Sequence, residues 1–306
     1  MNYQSMDDKI YSRIWTDNET VKTHTYLTDE CNGRFACSVD ERKAGDYMLT
    51  KFKEYGLENV HAESFQMKGW VRGEATMTAE FGDGTMDIDC WEMACNPGGN
   101  CQGILVDIGD GTEEQIEEMA DQLKGKVAFT NTKGPHRSAK YGACQKVGAV
   151  GLVIFNGTPG SLKPAGSISL GDMELKIPAV GASLEVGSSL QRKLKAGQTI
   201  TVKIATTGHN AMMEARNIIA EIPGTDPEAG WIIVGGHYDG HDVAQAAFDN
   251  GSGTVLTLEV GRVLNQFKGG LKVGVRCILF SGEELGLYGS FNYVKDHADE
   301  MDTIRA

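Results

Sequence analysis

Apolar residues recur at two different periods along this chain of 306 residues. Between Val39 and Tyr55, Ala44, Tyr47, Met48 and Phe52 fall at helical spacing, and Gly56 follows as a stop, which predicts one amphipathic helix. The stretch LENVHAESFQ that follows reads as a strand, and residues 68–86 alternate polar and apolar positions with Gly82 and Gly84 as turn signals. Over about residues 87–207, GKVAFTN, SAKYGACQKVGA, VGLVIFN, KIPAVGAS, LEVGSSLQRKLKAG and TITVKI alternate strand-like with helix-like pieces, separated by short Gly and Pro turns. After Gly208, WIIVGGHYD and KVGVRCILFSGEE are continuous apolar runs bounded by turns, the pattern of strands buried on both faces of a helix-covered sheet. Between them Val255, Leu258, Val260, Val263, Leu264 and Phe267 form an apolar helical stripe, and LGLYGSFNYVKDHADEM predicts a second helix. The chain therefore reads as α/β in three stretches, 1–86, 87–207 and 208–306, with the middle one either a further α/β unit of the main sheet or an insert.

Charge narrows the functions open to such a fold. Forty-two acidic against 29 basic side chains give a formal net charge of −13, which repels phosphate backbones and provides no basic stripe, so no nucleic-acid partner is expected. No apolar run approaches the roughly 20 residues of a membrane helix, so no membrane span is expected either. The N-terminus, MNYQSMDDKIYSRIW, lacks a charged head followed by an apolar core, so no secretory signal is read there. Seven cysteines, an odd number, leave at least one thiol unpaired, and the spacing of Cys90, Cys95 and Cys101 does not match a zinc knuckle.

Candidate chemistry gathers at the ends of the apolar runs. WIIVGG runs straight into His237 and Asp239, which in extended backbone project to the same face at the strand's C-terminal end, where open α/β sheets place ligands. A ligating histidine usually donates its other ring N–H to a carboxylate or carbonyl, so His237 suits a metal and Asp239 its support. Asp249 follows in AAFDNGSG, immediately before the predicted helix. It can be a plain N-terminal cap or a carboxylate bridging two cations. Glu283 and Glu284 close the second apolar run. Adjacent residues at a strand end point in different directions, so one can ligate while the other faces substrate. Paired glutamates also favour a helix N-terminus on electrostatic grounds alone. Each signal is weak singly. Their conjunction in one stretch, with oxygen and imidazole donors and no thiolate, points to a catalytic zinc site, with Mn2+ or Co2+ as alternatives.

The segments GGHYDGHDVAQAAFDNGSG and LFSGEELGLYGS resemble the M28 family of metallopeptidases, and the alternating middle stretch resembles the protease-associated domain inserted in several peptidases. Within the family the likeness is greatest to the plasma glutamate carboxypeptidase branch, which has an Asp and a Gln where Asp242 and Gln245 stand here. The resemblance implies a mixed-sheet, aminopeptidase-like zinc exopeptidase sandwich, with the insert at 87–207 and catalytic-domain parts at 1–86 and 208–306. It implies two Zn2+ ions, with His237 on one, Glu284 on the other and Asp249 bridging, and a cis peptide bond after Asp249. It also implies that Glu283 is the general base and that Asp239 supports His237. The expected activity is hydrolysis of peptide bonds near a free terminus, as an aminopeptidase or a dipeptidase or carboxypeptidase. A peptide is the expected substrate, a homodimer is compatible, and relatives are often secreted or lysosomal. A noncatalytic receptor or binding module on the same scaffold and a glutaminyl cyclase-like enzyme are the alternatives, and retention of Glu283 argues against the receptor.

The family pattern also needs a later Asp and a later His. Neither has a counterpart before the sequence ends at DTIRA, so the reading expects an incomplete catalytic sheet whose chain alone binds metal weakly and has little activity. His241, beside the motif, and His297, near a helix end, are poor substitutes, and His24, His61, His136 and His209 carry no motif signal.

Overall fold

A computed structural model describes residues 3–82, 84–169 and 173–306. The chain divides into two compact units, one made of Met1–Met67 and Met212–Ala306 and the other of Lys68–Ala211.

In the first unit the helix read from the apolar spacing spans Val39–Glu54. Ser38 caps it by accepting from the Glu41 amide, Asp40 and Glu41 sit in its first turn, and Lys51 and Lys53 in its last, each complementing the helix dipole. Gly56, in the left-handed region at φ 76°, ends the run, where a side chain would be strained. Two helices that no periodicity announced, Tyr3–Thr16 and Thr20–Glu30, precede it.

The sheet of this unit orders its strands Glu58–Val71, His209–Ile222, Gly274–Phe280 and Trp231–His237. His209–Ile222 runs antiparallel to Gly274–Phe280, whereas Trp231–His237 runs parallel to it with His237 opposite Phe280. That parallel pairing places the C-terminal ends of the two apolar runs side by side, which puts His237 and the Ser281–Glu284 turn at one end of the sheet. Alternation splits the faces: Ile218, Ala220, Ile222, Cys277 and Leu279 join Ala44, Met48, Phe52, Val255 and Leu258 in one core. Ile219 and Ile278 face the other way, against Tyr293. The expectation that both apolar runs are buried on both faces holds for Gly274–Phe280 only. Trp231–His237 has one full-length neighbour and is only half-buried, its other side carrying a short pairing with Ile304–Ala306.

The second unit is built on a mixed sheet, eight-stranded among the described residues. Gly99–Asp107, Val127–Asn131, Gly151–Phe155 and Ala179–Ala182 are mutually parallel, and Ile200–Thr206 pairs antiparallel to Gly99–Asp107 and to Ala75–Phe81. Because Ala75–Phe81 pairs with that last strand and carries its hairpin partner Gly84–Ile88 on its other edge, residues 68–86 pack with this unit, so its boundary falls earlier than the 87 read from the alternating pattern. Phe129 and Phe155, ring centroids 4.9 Å apart, lie in its core with Val127, Val153, Val180, Leu190 and Val202.

Candidate metal centre

His237 ends its strand with both ring nitrogens committed. Nδ1 lies 3.1 Å from the main-chain oxygen of Asp239, an acceptor, so this nitrogen carries a proton, and Nε2 faces the site. Nε2 lies 3.1 Å from Asp249 Oδ1 and 3.8 Å from Glu283 Oε2. Ligand atoms of His237, Glu283 and Glu284 all fall within 4.8 Å of one another. Glu284 Oε2 also contacts His241 Nε2 at 3.0 Å. Asp249 reaches the group through His237 and is the outermost member, its side chain 73% exposed.

Asp239 is fully buried, and its carboxylate lies 3.5 Å from His237 Nδ1. Its nearer partners are the backbone N–H groups of Glu283 and Glu284, which donate to Oδ1 and Oδ2, each at 3.2 Å. One carboxylate therefore sets the direction of both glutamates while its own main-chain oxygen orients the imidazole, a tie between the two strand ends that a His-x-Asp spacing does not reveal.

The local backbone explains how Asp249 comes free of a capping role. The bond between Asp249 and Asn250 is cis, and at the start of the following helix, Gly253–Asn265, it is Asn250 Oδ1 that accepts from the Gly253 amide, at 3.0 Å. The Thr254 hydroxyl lies 2.9 Å from the main-chain oxygens of both His237 and Asn250 and shares its one hydrogen between them, which binds the helix start to the strand end. With the Gly253 amide taken by Asn250, the Asp249 carboxylate is left to face His237.

Electrostatics mark the group as short of positive charge. Burial disfavours a charged His237, but Asp239 beside Nδ1, with Glu283 and Glu284, outweighs it and lifts the imidazole to about 9. Burial raises the Glu283 carboxyl, the nearby His237 lowers it, and Glu284, Asp239 and Asp249 raise it further, so its net shift is upward. The carboxylates of Asp249, Glu283 and Glu284 around one imidazole are a donor set of hard oxygens and borderline nitrogen that fits divalent cations. Two residues that sequence reading passed over lie beneath it. Glu41, 3% exposed, accepts from the Cys37 amide at 2.7 Å and from the Ser281 hydroxyl, and fully buried Arg34 donates into the loop ahead of Asp249. Arg34 lies in no periodic or motif-like stretch, and Glu41, in the first turn of the predicted helix, sits among charged neighbours Asp40, Arg42 and Lys43 from which the sequence does not distinguish it.

Residues 217–306 match the model of peptidase family M28, and residues 94–190 match the PA domain. The chain is 28% identical over 263 residues to probable leucine aminopeptidase 2 of Aspergillus fumigatus, covering 85% of this chain and 50% of that protein. It is 26% identical over 299 residues to carboxypeptidase Q of Xenopus laevis, covering 94% and 63% respectively. The chain thus spans half the length of the first relative and under two thirds of the second. Among solved structures, the aminopeptidase from Aneurinibacillus sp. strain AM-1 superposes with a TM-score of 0.75 at 29% identity, over 97% of this chain and 70% of that one. A zinc aminopeptidase from Bacillus subtilis superposes at 0.72 and 23% identity, over 94% and 66%, a likeness of fold. The mixed α/β architecture is that of these aminopeptidases.

Proposed function

We propose that this chain supplies the metal centre of a zinc-dependent exopeptidase that hydrolyses peptide bonds near a free terminus. His237, Asp249 and Glu284 would hold two Zn2+ ions, with Asp249 shared between them. The observation that carries the reading is the meeting of His237 with Asp249 at 3.1 Å and Glu283 at 3.8 Å, at the end of the sheet where Glu284 completes the group. Names of the relatives, leucine aminopeptidase and carboxypeptidase Q, support a terminal peptide bond as the target and leave both termini represented.

Bound divalent cations supply positive charge that acidifies a water and polarises a peptide carbonyl. The residues do the rest. Asp239 fixes Glu283 and Glu284 through their amides, and its main-chain oxygen keeps the Nε2 lone pair of His237 directed inward. Glu283, its carboxyl raised by burial and by neighbouring carboxylates, takes the proton from water as general base and returns it to the leaving amine.

The test is Glu283→Gln in the full-length chain, assayed on dipeptides and aminoacyl amides with added zinc. The metal content is expected to stay at the wild-type value while turnover falls by about two to four orders of magnitude. Near-normal rates with the metal stoichiometry confirmed would remove Glu283 from its role.

A further inference from the structure

The loop that carries Asp249 is cast against a turn more than two hundred residues upstream. Gly33 lies so close to it that a Cβ there would sit 2.4 Å from the His241 oxygen, 2.5 Å from Asp242 Cα and 2.8 Å from the Ala244 oxygen. Next to it, Arg34 is fully buried at φ 49° and spends its guanidinium on main-chain oxygens. Nε donates to Tyr238 at 3.0 Å, Nη1 to Leu27 at 2.9 Å and to Asn32 and Gln245 at 3.1 Å, and Nη2 to Ala246 at 2.7 Å. Its own carbonyl accepts from the Gly240 amide at 3.1 Å. Phe35 packs against the His241 ring, centroids 5.7 Å apart, and His24 Nε2 lies 2.7 Å from the Ala247 oxygen.

A buried guanidinium is an expensive way to fill space, and an apolar side chain of similar volume would serve packing as well or better. What an apolar chain cannot do is fix the separation of several carbonyls at once, which the planar fork does. The carbonyls it holds are informative. Tyr238 stands between His237 and Asp239, while Gln245 and Ala246, the latter at φ 47°, lie four and three residues ahead of Asp249.

We infer that Arg34 is a positioning residue of the metal centre, a rigid spacer between the strand end that bears His237 and the loop that bears Asp249. The inference rests on the metal-centre reading above and extends it to a residue that touches neither substrate nor cation.

The experiment uses the full-length chain and measures Co2+ and Zn2+ affinity, the visible absorption spectrum of the Co2+ form and the unfolding temperature. Arg34→Lys keeps the charge but presents one nitrogen instead of three, and so cannot span Tyr238 and Ala246 together. Its metal affinity is expected to fall about 10- to 100-fold with an altered Co2+ spectrum. Met48→Ala, a core truncation away from the loop, measures instability alone: it should unfold earlier and bind metal as the wild type does. If Arg34→Lys does not fold, Gly33→Ala, on the same turn, displaces the same loop through His241, Asp242 and Ala244 and should weaken metal in the same way. Wild-type affinity and spectrum in the folded variant, or an equal loss in Met48→Ala, would overturn the proposal. A wild-type chain that binds no divalent metal would overturn the metal-centre reading, and this one with it.

Discussion

Glu41 sits below the candidate metal centre with its two oxygens taken by the Cys37 amide and the Ser281 hydroxyl. Burial first, and then the Asp239 charge, push its carboxyl from 4.5 up to about 8. The folded protein therefore holds a proton that the unfolded chain releases above about 4.5, so stability linked to this group is complete at low pH and is lost as pH rises towards 8. Gln at this position keeps the shape, accepts from Cys37 and donates to Ser281. Urea unfolding of the metal-free chain at pH 5, 7 and 8 should show Glu41→Gln gaining at least about 1 kcal/mol on the wild type as pH rises. Parallel pH profiles would contradict the assignment. Residues of this kind also mark the limit of what the sequence conveys. His237, Asp249, Glu283 and Glu284 were legible because each closes an apolar run or precedes a helix, so topology alone brings them to one end of a sheet. Arg34 was not, since its partners are main-chain carbonyls, which every residue supplies and no pattern distinguishes.

At the scale of elements, the turn bearing Glu283 and Glu284 is clamped between the end of its strand and the start of the next helix, Tyr288–Asp296. The Asn217 side chain accepts from the Ser281 amide at 3.2 Å and donates to the Gly289 oxygen at 2.9 Å, and the Gly289 amide donates back to Ser281 at 2.9 Å. Gly289 leaves no room for a side chain: a Cβ would lie 2.4 Å from the Ser281 oxygen and 2.5 Å from Asn217 Oδ1. Gly289→Ala should cost about 1 to 3 kcal/mol in chemical denaturation by forcing this clamp apart, and a change below about 0.5 kcal/mol would show that the clamp gives way freely. The same scale explains a misjudged strand. WIIVGG and VRCILF are equally apolar, and only the pairing partners, which lie outside either segment, put Gly274–Phe280 inside the sheet and Trp231–His237 at its margin.

For the molecule as a whole, the interruption of the first unit by Lys68–Ala211 is the dominant fact. That second unit has its own sheet and a core around Phe129, Phe155 and Val202, and its helix Leu184–Lys195 is capped by Ser183. Residues 68–211 expressed alone are expected to unfold in one cooperative transition with the far-ultraviolet signature of a mixed sheet; a gradual, non-cooperative melt would count against its independence. Start and end of the insert were blurred in the sequence because the hairpin Ala75–Ile88 alternates like any half-buried strand pair and reveals its allegiance only through Ile200–Thr206.

The turn at Gly33 and Arg34 and the loop at Gln245 and Ala246 are separated by 211 and 212 residues for their closest bonds. Joining ends so distant demands that most of the chain be in place beforehand, because the entropy of closing the loop must be met before the contact can repay it. Competence to hold a cation should accordingly be among the last properties a refolding molecule regains, after secondary structure and the bulk of both cores have returned.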